Sequence, residues 1–62
     1  MVKVKIPLFV AEVIERHKNE ELTVKMHYVI EYNNVFEWIE NEQGNLTKLA
    51  QALEFGYEVE DG

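Results

Sequence analysis

The two ends of this chain place the strongest constraint on its fold. Val2-Lys3-Val4-Lys5-Ile6 alternates apolar and basic residues, and Tyr57-Glu58-Val59-Glu60 alternates apolar and acidic ones. A period of two marks a strand with one covered face. Neither stretch is stable as an isolated strand. Paired side by side, they would set the valines, Ile6 and Tyr57 against the rest of the molecule. Lys3 and Lys5 would then lie near Glu58 and Glu60 on the wet face. Exposed cross-strand charge pairs contribute little, so charge would choose the partner and the apolar face would supply the energy. The alternative is two frayed tails.

Helices are expected between these ends. Pro7 stops the first strand and suits a helix start, where its missing N–H has no partner to lose. The first helix is expected over 7–18, with Phe9, Val10, Val13 and Ile14 inward and Glu12, Glu15 and Arg16 in water. His17 and Lys18 sit in its last turn, where cations suit the helix dipole, and Asn19-Glu20-Glu21 breaks it. Residues 22–32 are ambiguous. Leu22, Val24, Met26, Tyr28, Ile30 and Tyr32 alternate with polar residues, and the β-branched and aromatic content favours a strand. The same stretch fits a helix capped by Thr23 with Met26, Val29 and Ile30 on one side.

Asn33-Asn34 breaks that segment and offers a cap for a helix over 35–43, with Val35, Phe36 and Ile39 inward and Trp38 to one side. Gly44 suits a helix C-terminus at positive φ, and Asn45 suits the cap of a helix over 46–55. There Leu46, Leu49, Ala50 and Leu53 recur at 0, 3, 4 and 7, the clearest helical spacing in the chain. Gly56 ends it. The expected fold is α+β: one small domain over 1–62, with about three short helices packed against short terminal β-strands.

Stability limits so short a chain. For 62 residues and 7.3 kDa, size scaling leads to roughly 95 kcal/mol of apolar burial. Ordering the chain costs about 93 kcal/mol. An isolated monomer is therefore marginal, and self-association or a partner would help it. A homo-oligomer is expected on that ground and on the number of aromatic residues.

Inventory removes several chemistries. The chain has no cysteine and no serine, so disulfides, thiolate metal sites and serine or cysteine nucleophiles are excluded. His17 and His27 stand ten positions apart in different elements, unlike the converging ligands a metal requires. Glu37, Glu40 and Glu54 read as solvated helix faces, and Gly44, Gly56 and Gly62 stand singly rather than in a phosphate-cradling loop. No enzyme, cofactor or metal site is expected.

The formal net charge is −6, and it is unevenly spread. Residues 1–25 carry five bases against four acids, whereas residues 26–62 carry Lys48 alone against eight acids. Such a surface repels phosphate, which argues against direct nucleic-acid binding and for docking on a basic protein surface. No apolar run approaches the roughly 18 residues of a membrane span, and no signal peptide opens the chain. A cytoplasmic protein is expected. Tyr28, Tyr32, Trp38 and Tyr57 are the candidate protein-binding residues, because tyrosine and tryptophan dominate binding hot spots. Trp38 and Phe36 also suit the core, while Tyr28 or Tyr32 is expected at the surface.

One combination of segments is familiar. Ile6-Pro7-Leu8-Phe9-Val10-Ala11 leads into Val13-Ile14-Glu15. Phe36-Glu37-Trp38-Ile39, Leu49-Ala50-Gln51-Ala52 and Gly56-Tyr57-Glu58-Val59-Glu60 follow in that order. Together they resemble a family of small phage and prophage proteins of Gram-positive bacteria, domain-of-unknown-function family number sixteen forty-two. Members typically open with a Pro-x-Phe-Val-Ala helix and close with an Ala-x-Ala helix running into Gly-Tyr-Glu-Val-Glu. Two departures stand out: Leu53 near Phe55 occupies the place of a usual tryptophan, and a further apolar segment common after Glu60 is missing. The resemblance implies a helical reading for 22–32 and an origin without a chemistry. The function it leads one to expect is a non-enzymatic phage accessory protein acting in the bacterial host cell through protein binding. The alternative is an acidic inhibitor of a host nucleic-acid-binding or defence protein, its carboxylates standing in for phosphates.

Overall fold

The computed structural model describes residues 3–60; Val2, expected in the first strand, lies outside them. The order of elements is β1 (Val4–Ile6), α1 (Leu8–Arg16), α2 (Leu22–Ile30), α3 (Asn33–Asn41), α4 (Asn45–Phe55) and β2 (Tyr57–Val59). The two ends do pair, as a two-stranded sheet. The strands run parallel, with Val4 opposite Tyr57, Lys5 opposite Glu58 and Ile6 opposite Val59. Parallel strands require a long crossover, and here all four helices form it. The ladder continues past β2, where the Glu60 N–H donates to the Ile6 carbonyl at 2.8 Å.

Charge and burial on the sheet agree only in part with the alternation. Lys5 and Glu58 face each other on the wet side, yet none of the ion pairs among the described residues uses Lys3 or Lys5. Ile6 is wholly buried, whereas its neighbour Val59 is 43% exposed. The helices explain the difference: α4 packs more extensively on β1 than on β2, so the outer strand has little to cover its apolar residues.

The core takes one fully buried side chain from each of the first five elements: Ile6, Val10, Val29, Val35 and Leu49. Ala11, Val13, Ile14 and Ala52 complete it. Pro7 joins β1 to α1 in an extended conformation, and its carbonyl accepts the N–H groups of Val10 and Ala11, both at 3.1 Å. Phe9, expected inward, lies at the edge of this stripe and is 36% exposed.

Residues 22–30 form α2 rather than a strand, so the described residues hold four helices instead of the three expected. Met26, Val29 and Ile30 face the core, at helical spacing. Leu22, Val24 and Tyr28, which create the strand-like alternation, are 45%, 39% and 44% exposed. Packing of one narrow stripe outweighed the β-propensity of the rest.

The expected caps are not used as caps. Among the described residues no helix has a side-chain cap hydrogen bond at its N-terminus. The N-cap positions are Pro7, Glu21, Tyr32 and Gly44. Thr23, Asn33 and Asn34 fall inside first turns instead. Gly44 precedes α4 at φ −78° rather than ending α3 at positive φ.

Asn45 is 3% exposed, and its Nδ2 donates to the Trp38 carbonyl at 2.7 Å. Glu42 leaves α3 in an extended conformation, so that carbonyl lacks its helical partner. The Asn45 amide supplies one, joining the end of α3 to the start of α4.

Two expected inward residues also turn out to solvent. Leu46 is 49% exposed and Phe36 51%. In α4 the buried stripe is Asn45, Leu49 and Ala52, one position rotated from the apolar spacing. In α3, Val35 is buried while Trp38 and Ile39 pack against the core.

Candidate functional site

The four aromatic residues singled out by the sequence separate into three places. Tyr28 and Tyr32 meet at a corner built around His17. This residue caps α1, donating its N–H to the Ile14 carbonyl. Its Nδ1 stands 2.7 Å from Glu20 Oε2 and its Nε2 3.3 Å from Tyr32 Oη. The carboxylate only accepts, so Nδ1–H donates to Glu20, and in the neutral ring Nε2 accepts the Tyr32 hydroxyl. The imidazole stacks on Tyr28 at 5.2 Å and 15°, and Tyr32 meets it edge-on at 5.9 Å. The Arg16 guanidinium lies 5.9 Å from the centre of the Tyr32 ring.

Both ring nitrogens and one ring face of His17 are therefore occupied within the chain. The corner fastens the loop after α1 to the end of α2 and the start of α3. The spacing of His17 and Glu20 is visible in the sequence, but nothing there indicates Tyr28 or Tyr32 as their neighbours.

Trp38 lies elsewhere, in a groove between α1 and α3. Phe9 from α1 and Asn34, Glu37, Trp38 and Asn41 from α3 line this shallow, open groove of about 640 Å³. The four α3 residues recur at 0, 3, 4 and 7, a single helix face. Phe9 near the start of α1 meets Trp38, while Arg16 at its end meets Tyr32 at the start of α3. The two helices thus run antiparallel, and one seam connects the groove to the His17 corner. Trp38 and Asn41 also border a polar pocket lined by Lys5, Lys48, Glu42, Glu60 and Asn45.

Tyr57 is tied to α1. Its hydroxyl donates to Glu15 Oε2 at 2.7 Å. Burial first, then this hydrogen bond and the Glu15 charge, push the phenol up to about 12. Neutral Tyr57 therefore favours the fold, and the sign is fixed by linkage. The contribution is complete below the ordinary phenol value of 10.0 and is lost as pH rises to about 12. With partial solvent screening it amounts to about 1 kcal/mol. Tyr57→Phe is expected to flatten the fall in stability over that range, checked by urea titrations at stepped pH.

A smaller apolar groove separates α2 from α4, lined by Leu22, Thr23, Met26, Ala50 and Glu54. Among the described residues no group of three or more metal-ligating side chains converges, and no helix is long and apolar enough to cross a membrane. Glu37, Glu40 and Glu54 are exposed, the first two three positions apart on α3 and the third on α4.

A family model described as Protein of unknown function (DUF1642) matches residues 2–61. No curated protein and no solved structure matches the chain.

Proposed function

We propose that this chain, which belongs to the DUF1642 family, is a non-enzymatic accessory protein of a phage or prophage that works by binding another protein. The carrying observation is the amount of large apolar side chain left in water. Leu8, Phe9, Leu22, Val24, Tyr28, Phe36, Leu46, Phe55 and Val59 are each 36% exposed or more. So many exposed positions on a core of nine residues fit a surface that a partner completes. The phage origin and the Gram-positive host cytoplasm rest on the sequence resemblance.

The test is photo-crosslinking in phage-infected host cells, with benzoylphenylalanine placed singly at Phe9, Tyr28 or Phe36. One protein captured from at least one position, and retained in high salt, is the expected result. No capture from any of the three would overturn the reading. Capture that disappears in high salt would replace it with the acidic inhibitor, whose charge contacts are screened.

A further inference from the structure

We propose that the groove between α1 and α3 seats two turns of a basic amphipathic helix of the partner protein. One apolar side chain enters between Phe9 and Trp38, and a lysine or arginine reaches Glu37. This rests on the protein-binding reading and names the chemistry of the partner.

The shape comes from the lining. Asn34, Glu37, Trp38 and Asn41 form one strip of α3, about 10 Å long at the helical rise. Phe9 rises opposite from α1. An antiparallel helix pair with an aromatic residue on each side of the groove suits a third helix laid along it. The asparagine amides at the two ends of the strip can bond polar groups that flank the anchor.

The sign of the partner comes from charge. Glu37 lies in the groove itself. Glu12, exposed one turn along α1 from Phe9, and Glu40, exposed on α3, add to it. Arg16 lies against Tyr32. Lys5 and Lys48 line the adjoining polar pocket, which shares Trp38 and Asn41 with the strip, and there they are matched by Glu42 and Glu60. A second copy of the chain would bring its own charge of −6 against this surface. A basic segment gains from the same field.

Trp38 is the single tryptophan of the chain, so its fluorescence reports on the groove directly. The probe is a tryptophan-free peptide of leucine and lysine, about 14 residues long, with leucines along one helix face. A blue shift of Trp38 emission that saturates with peptide is expected. Amide shifts in NMR should centre on Phe9, Asn34, Glu37, Trp38 and Asn41. Glu37→Lys should weaken binding about tenfold, and Glu37→Gln should weaken it less.

Equal binding by the glutamate counterpart, or by a lysine peptide with its leucines scattered around the helix, would overturn the proposal. So would shifts centred on Leu22, Met26 and Ala50. A Trp38 response to protein concentration without peptide would assign the groove to a second copy instead. Crosslinked capture of a partner with no Trp38 response would overturn this groove and leave the protein-binding reading standing. Failure of the crosslinking itself removes that reading separately.

Discussion

Leu49→Ala is expected to remove about 3–5 kcal/mol of stability, the range for emptying a leucine site in a closed core. Leu49 is wholly buried, and it sits among side chains contributed by β1, α1, α2 and α3. Small domains hold roughly 0.05–0.15 kcal/mol per residue, so a chain this short holds about 3–9 kcal/mol altogether. The substitution should therefore leave a large unfolded fraction without denaturant. The matched control is Leu46→Ala, expected to cost under about 0.5 kcal/mol because the side chain is already in water. Urea titration followed by circular dichroism separates the two. Equal losses at the two positions would contradict the rotated stripe of α4.

The second large effect is expected at Gly56, which links α4 to β2 at φ 95° and ψ 173°. That region is open to glycine and closed to L-residues. Space is not the obstacle, since a Cβ built there meets the Lys3 side chain at 3.6 Å, an ordinary contact. Gly56→Ala should thus cost about 1–3 kcal/mol through backbone strain alone. The chain is short enough for chemical synthesis, so D-alanine can be placed at the same position. For a D-residue these angles mirror an ordinary extended conformation. The D-alanine protein should match or exceed the parent in thermal stability, while the L-alanine protein melts lower. A similar loss in both would assign the effect to crowding rather than to conformation.

The sequence disclosed the parts of the fold in which local pattern and tertiary packing agree. The alternation at both ends led to the sheet, Pro7 and Gly56 bounded the helical segment, and Val10, Val13 and Ile14 marked the inner face of α1. Strand direction was not legible, because period two is the same in parallel and antiparallel pairs. Residues 22–32 misled through their exposed positions. Leu22, Val24 and Tyr28 contribute the alternation, while Met26, Val29 and Ile30 contribute the packing. Asn45 has the composition of a cap, but its amide is drawn off by a carbonyl at the end of another helix. Only the arrangement of α3 against α4 creates that demand.

For the candidate site, the aromatic residues were visible as types and not as groupings. Phe9 was expected in the core by its spacing with Val10 and Val13, and it forms a groove wall because α1 buries a narrower arc. Tyr28 and Tyr32 were seen without His17, their common neighbour. The Tyr57 hydroxyl bonds Glu15, 42 positions away, a link that neither local pattern contains.

The sheet joins residues 53 positions apart in every register pair, which sets the order of events in folding. Closing a loop of that length costs about 3.5 kcal/mol of chain entropy beyond its constant. Helical contacts between near neighbours carry a far smaller penalty, so β1 is expected to dock after the helices have gathered. During synthesis the wait is obligatory. Until Val59 has left the ribosome, Ile6 can lie against α4 but has no strand beside it.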